Sequence, residues 1–389
     1  MMSAHAVGAE VVLTFGLEQR LEVGSNVDLT VPEGGTTTAS VTRLSFGAVS
    51  RTQLDTLEFS AASALVVENS DGTGGTEAEL ERPELSLRYT REVPNALFSV
   101  GAQYRRDDAD AFDEDISDAD LDGTRTDIGA DLRIETGRTA PLGFAFTTSF
   151  TRTEYQDTTD PTLTDTDVLR VGLETRLRFS EVLLGRVGLG YEREEETDVV
   201  GPATETSTAS LGMTYLLANG EATADLSFSS DDDEGDRSTF VVGRTLTLPA
   251  GLLSARLGVT DGDSSGTDVI GALFWSQELP RGALDLRLER AIGFDDDTDE
   301  AVKSTTVSVS FTQDVNAVSS LGLSLSHEIS DAPSERIEVS EFGATYRYAL
   351  TEDWGLDSGV TYRVRKDADG RSDSPGVFVA LSRSFEFRP

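Results

Sequence analysis

The sequence predicts an all-β fold: a closed, antiparallel, up-and-down β-barrel of about 20 strands (18–22) that spans a membrane. Three observations predict it. Apolar residues alternate with polar or small ones from one end of the chain to the other. The connectors between the alternating segments are of two kinds, short ones and long acidic ones, which take strict turns. The second face of the segments carries charges that no packed core would accept.

The alternation is seen first at Val11, Leu13, Phe15 and Leu17, which interleave with Val12, Thr14, Gly16 and Glu18. Ile128, Ala130, Leu132 and Ile134 interleave with Gly129, Asp131, Arg133 and Glu135. The pattern recurs at Leu169–Phe179, Ala222–Phe228, Leu284–Leu288, Thr305–Phe311, Leu321–Leu325, Phe342–Leu350, Trp354–Val364 and Val377–Phe387. A period of two puts neighbouring side chains on opposite faces of a strand. No stretch carries a helical stripe, and no run of about 18 apolar residues could form a spanning helix.

Short connectors are expected at 50–53, 92–95, 136–141, 180–182, 218–221, 248–251, 279–282, 312–319 and 350–353. Long, mostly acidic ones are expected at 24–37, 68–82, 107–126, 156–167, 194–207, 231–238, 261–268, 295–301, 330–336 and 366–375. Strands that run up and down place alternate connectors at opposite ends, so one rim has tight turns and the other acidic loops. The strands between them are about 9–13 residues long, enough to cross a bilayer when tilted.

The polar faces explain why the sheet must close. Arg170, Glu174, Arg176 and Arg178 share one strand face, and Arg186 and Arg287 occupy equivalent places elsewhere. A sandwich or propeller, with strands of about 5–6 residues, would bury one face against another layer. A ring with lipid outside and water inside satisfies both faces and leaves no free edge. It also accounts for the hydrophobic fraction of only 38%, since every second strand residue is free to be polar. These arginines are expected to line the pore wall, either orienting solutes or satisfied by neighbouring carboxylates. Tyr104, Tyr155, Tyr191, Tyr215, Trp275, Tyr346, Tyr348, Trp354, Phe385 and Phe387 lie near strand ends, where interfacial girdles need aromatic rings.

The balance of 70 acidic to 32 basic residues, a formal charge of −38, leaves no basic footprint for nucleic acid. Acidic surfaces with few lysines also suit salt-rich surroundings. The lack of cysteine removes disulfides and thiolate metal sites. The chain divides into residues 1–8, with small residues around His5 like the remnant of a signal or processing region, and a single barrel domain, 9–389. Two histidines and no nucleophile motif argue against an enzyme and against a resident cofactor.

The alternation of tight turns and long loops, the small-residue start and the closing strand VFVALSRSFEF (377–387) resemble bacterial outer-membrane β-barrel proteins of the porin-like superfamily. The resemblance implies a place in the bacterial outer membrane, periplasmic turns and extracellular acidic loops. It implies as partners the lipid bilayer, lipopolysaccharide and the barrel-assembly machinery, which reads a terminal aromatic strand. Phe385 and Phe387 would be that signal, although Arg388 and Pro389 follow them. The first strand starts by about residue 9, so no plug of the TonB-dependent kind is expected before it. The expected function is a porin-like channel for passive diffusion of small hydrophilic solutes, preferring cations. The alternatives are a barrel associated with polysaccharide export, and a structural or surface-interaction barrel with a closed lumen.

The third long loop contains DADLDG, 118–123. Asp118, Asp120, Asp122 and Gly123 match the opening of a calcium loop, but its twelfth position is Gly129, where a bidentate Glu is required. A weak calcium site is one expectation. The other comes from general porins, to which the chain is similar: the third loop folds into the lumen as a constriction, its acids facing the basic wall.

Overall fold

In the computed structural model the described residues are 10–27, 29, 34–70, 76–108, 123–158, 163–197, 201–232, 235–295, 300–368 and 370–389. They form twenty strands. The first seven are β1 (Glu10–Ser25), β2 (Thr36–Arg51), β3 (Asp55–Ser70), β4 (Thr76–Val93), β5 (Ala96–Asp108), β6 (Thr124–Thr136) and β7 (Leu142–Gln156). Then follow β8 (Thr166–Arg178), β9 (Leu183–Glu196), β10 (Thr204–Leu217), β11 (Gly220–Asp231), β12 (Gly235–Leu248), β13 (Gly251–Gly262) and β14 (Gly266–Leu279). The ring finishes with β15 (Gly282–Asp295), β16 (Glu300–Asn316), β17 (Ser319–Asp331), β18 (Arg336–Ala349), β19 (Trp354–Lys366) and β20 (Arg371–Phe387).

Each strand pairs antiparallel with its neighbours in sequence, and β20 pairs with β1 from Leu13↔Phe387 to Gly24↔Gly376. That last ladder closes the sheet and satisfies the edges an open sheet would leave bare. The strands are longer than the alternation indicates, from 12 residues in β11 to 18 in β4. Segments expected as loops, such as 68–82 and 366–375, are largely strand: β3 and β4 continue to Ser70 and Thr76, and β19 and β20 to Lys366 and Arg371. The expected turn 312–319 is also mostly ladder. Above the apolar belt both faces of a strand meet water. The hydrophobic period stops there while backbone pairing continues. Pro83 sits where the β3–β4 register shifts between Ala62 and Ala64, the kind of bulge that tolerates a missing N–H.

One face of every strand presents apolar side chains to the surroundings, among them Phe15, Leu44, Leu173, Leu211, Phe240, Leu257 and Leu325. An exposed belt of this extent needs lipid. On β15 it runs through Leu284, Leu286 and Leu288 and stops at Arg290, about 26 Å along the strand from Gly282 at ~3.3 Å per residue. At the tight-turn end, Arg383 shares this face and lies 5.0 Å from the Trp354 ring and 4.1 Å from the Phe385 ring, an interfacial cation held among aromatics. Register puts Tyr155 on the other face, so it is no part of an outer girdle; it packs with Arg125 instead. A polar island interrupts the belt. Thr42 donates to Gln19 Oε1 at 2.6 Å and Gln19 Nε2 donates to Ser40 at 3.0 Å, so that no lone polar group faces lipid. His327, also on this face, is bonded to Ser340 on the adjacent strand.

The β14–β15 ladder is the shortest in the ring, ending at Gly271↔Arg290. Beyond it β14 stays bonded to β13 as far as Gly266, and β15 to β16 as far as Asp295. Side chains bridge the gap: Arg290 Nε donates to the Val269 carbonyl at 3.2 Å, and Arg290 and Lys303 both reach Asp268.

Candidate functional site

The polar face is the concave one. Its long side chains reach over a whole intervening strand to meet, which only converging directions inside a ring allow. Arg88 on β4 clasps Asp131 on β6 with two bonds, 3.1 and 2.9 Å, passing over β5. Arg186 on β9 bonds Asp225 on β11 at 2.6 Å, passing over β10. Arg43 on β2 bonds Glu84 on β4 at 3.0 Å. The strand beneath each pair carries a small residue. A Cβ on Gly101 would fall 2.4 Å from Asp131 Oδ1, and one on Gly212 would fall 2.3 Å from Arg186 Nε. The missing side chain is what opens the lane for the ion pair.

The arginines singled out in the sequence divide into two groups. Arg170 forms a bidentate pair with Glu192 at 2.9 and 2.6 Å. Arg176 and Arg186 are register partners, an unfavourable juxtaposition of like charges. They turn in opposite directions, Arg176 to Glu135 at 3.2 Å and Arg186 to Asp225. Glu174 lies 3.9 Å from Arg176. Arg178 and Arg287, by contrast, have no ion-pair partner among the described residues.

Glu135 is the centre of the charged arc, and composition alone does not single it out. It is only 6% exposed and receives Arg133, Arg138 and Arg176, from β6, the following turn and β8. Arg138 also bonds Glu92 at 2.6 Å, and that hydrogen bond chiefly keeps its pKa above the ordinary arginine value. The alternation does place Glu135 on the inner face; its three partners depend on the register of β6, β7 and β8.

A second inner region has a different character. Phe274, Asp285, Arg287, Ser308, Ser310, Ser324, Ser326 and Glu341, on β14 to β18, line a recess of about 560 Å³. Arg287 lies 5.7 Å from the Phe274 ring.

The first long loop has its described residues on the inner wall. Asn26 and Leu29 adopt left-handed conformations, φ 51° and 53°. The Val27 carbonyl accepts from Arg363 at 2.7 Å and the Leu29 carbonyl from Ser372 at 2.7 Å. Asn26 Nδ2 donates to the Asp373 carbonyl at 3.3 Å. Arg363 and Ser372 belong to the inner faces of β19 and β20, and Ser372 is 1% exposed beneath the loop. Asp118, Asp120 and Asp122, named for both calcium and constriction, lie outside the described residues, as does His5. Phe385 and Phe387 are on the outer face of β20, opposite Phe15 and Leu13.

No protein-family profile and no curated protein sequence matches the chain. Solved structures do match in fold. A variant of the ferric enterobactin receptor PfeA from Pseudomonas aeruginosa aligns over 97% of this chain and 81% of its own, with 12% identity and a TM-score of 0.56. The siderophore receptor PirA from Acinetobacter baumannii aligns over 97% and 80%, with 9% identity and a TM-score of 0.55. OccK7 (OpdD) from Pseudomonas aeruginosa covers 98% of this chain and is itself covered in full, with 11% identity and a TM-score of 0.44. The closed ring, the apolar belt and the polar concave wall define the class: a transmembrane β-barrel of the outer-membrane kind. Within that class it is a 20-stranded antiparallel barrel.

Proposed function

We propose that the protein is a passive channel of the bacterial outer membrane for small hydrophilic solutes, with a preference for cations. One observation carries this reading. Among the described residues every inner-wall ion pair joins strands no more than two apart, and no strand occupies the lumen. A ring of about 20 strands leaves an aqueous passage unless something fills it. The wall's arginines are largely neutralised by neighbouring acids, so the excess negative charge of the chain sets the field at the mouth. Lipopolysaccharide and bilayer lipid would surround the belt, and Phe385 and Phe387 would be the handle for the barrel-assembly machinery.

The test is single-channel recording in planar bilayers. Steady conductance with a cation-selective reversal potential in a salt gradient is expected, with selectivity weakening as salt shortens the Debye length to about 3 Å at 1 M. Silence from a barrel shown to be folded by its heat-modifiable gel mobility would overturn the reading in favour of a closed lumen. The acidic third loop is proposed as a contributor. Replacing Asp118, Asp120 and Asp122 by Asn should reduce the cation preference and abolish any calcium heat in calorimetry. An unchanged reversal potential would remove that loop from the conduction path.

A further inference from the structure

We infer that the recess on β14–β18 binds a neutral, polyhydroxylated solute, a short saccharide, in the course of its passage; this rests on the channel reading above. The recess is a lattice set by register. Phe274, Arg287, Ser308, Ser326 and Glu341 are successive cross-strand partners on five adjacent strands. One step nearer the tight turns, Asp285, Ser310 and Ser324 form a parallel row. Strands lie ~4.8 Å apart, so Arg287 and Glu341 stand about 14 Å from each other with hydroxyls between them.

The polar groups here are uncommitted. Elsewhere on the sheet cross-strand hydroxyls bond one another, as Ser60 does with Ser86 at 2.6 Å and Thr239 with Thr260 at 2.9 Å. Among the described residues, the four serine hydroxyls of the recess make no side-chain hydrogen bond. Asp285, Arg287 and Glu341 likewise form no ion pair, whereas the arginines of the opposite arc are mostly engaged. These groups face the lumen, where water or a solute serves them.

Charge then selects the solute. A carboxylate near Arg287 would meet Asp285 two residues along the same strand and Glu341 across the recess. An organic cation drawn to the two acids would meet Arg287. A sugar hydroxyl both donates and accepts, so it suits a donor-only guanidinium, acceptor-only carboxylates and bifunctional serines together. Phe274 supplies an apolar surface for the C–H face of a sugar ring. The span of about 14 Å suits a short chain of sugar rings better than a single one.

The experiment titrates maltotriose against single-channel current through the full-length barrel, with calorimetry of the same trisaccharide on the detergent-folded protein. Saturable block is expected, and S308A combined with S326A should raise the half-blocking concentration about ten-fold, the loss of two hydrogen bonds. F274A, a variant that removes no polar group, should also weaken block. Steady current that maltotriose does not affect, block identical in wild type and both variants, or stronger block by benzoate than by maltotriose would each overturn the inference. Heat on mixing with a folded but silent barrel would overturn the channel reading alone and leave the recess as a saccharide site.

Discussion

The inner wall has two arcs built on opposite plans. From β4 to β11 it is dense with arginine and acid, and its charges are mostly paired: Arg88 with Asp131, Arg170 with Glu192, Arg186 with Asp225, and three arginines on Glu135. Around the recess on β15 to β18 it is rich in serine, and Ser308, Ser310, Ser324, Ser326, Asp285, Arg287 and Glu341 make no ion pair or side-chain hydrogen bond among the described residues. Counting arginines points to the first arc as the working surface. Pairing points to the second. A side chain already bound to its neighbour holds the wall together; one without a protein partner is available to a solute.

The largest test of this contrast is at Glu135. Replacing it by Ala removes the buried carboxylate shared by Arg133, Arg138 and Arg176, of which Arg138 keeps Glu92, and removing one partner from a buried pair costs up to roughly 3–5 kcal/mol. The expected result is a large fall in the urea midpoint for unfolding from lipid vesicles. A loss under ~1 kcal/mol would mean that water replaces the carboxylate freely, and that this arc is no more committed than the other.

The next test compares faces. Leu173→Arg puts a charge into the apolar belt and should cost about 2–4 kcal/mol at mid-membrane depth. Ser308→Arg, on the inner face of β16, should cost much less by the same folding titration. Equal costs would mean that the period-two assignment is one residue out of register. On the belt itself, Thr42→Val leaves Gln19 Oε1 without its donor, an expected loss of about 1–3 kcal/mol. No change there would show that the island is reached by water.

The smallest effect sharpens the comparison most. A double-mutant cycle on Arg186→Gln and Asp225→Asn should give a coupling of only ~0.2–1 kcal/mol, because both groups border the aqueous lumen. A coupling several times larger would mark a lumen so narrow that the pair is desolvated.

Much of this was legible in the sequence. A two-sided strand needs only its alternation to reveal which residues face lipid, and Leu173, Leu286 and Val309 fall on the outer side while Arg176, Arg287 and Ser308 fall on the inner. Alternating connector lengths gave the two rims. The missing parts share one cause. Partner choice depends on register between strands far apart in sequence: Glu135 sits opposite Ala145, which sits opposite Glu174, and no local pattern encodes that chain of neighbours. Strand ends are not legible because the ladder outlives the hydrophobic period. The inward turn of the first loop depends on Asn26 and Leu29 at positive φ and on Arg363 and Ser372, more than 300 residues downstream. Asn is a residue that tolerates this backbone region, which is a faint signal; Leu gives none.

The early parting of β14 and β15 bears on how the ring comes apart. Cooperative units of a protein open at different free energies, lowest where backbone bonds are fewest and most exposed to solvent. Here the ladder is at its shortest, and the Val269 carbonyl relies on an arginine side chain instead of a neighbouring strand. Amide protons of Gly266–Ile270 and Ala291–Asp295 that point toward the seam should therefore exchange with deuterium early, while those of the β1–β2 ladder, paired from Glu10↔Arg51 to Ser25↔Thr36, are retained. Fraying would thus start near the acidic rim, remote from the suture between β1 and β20. The chain's two ends would remain stitched together while the wall six strands away opened.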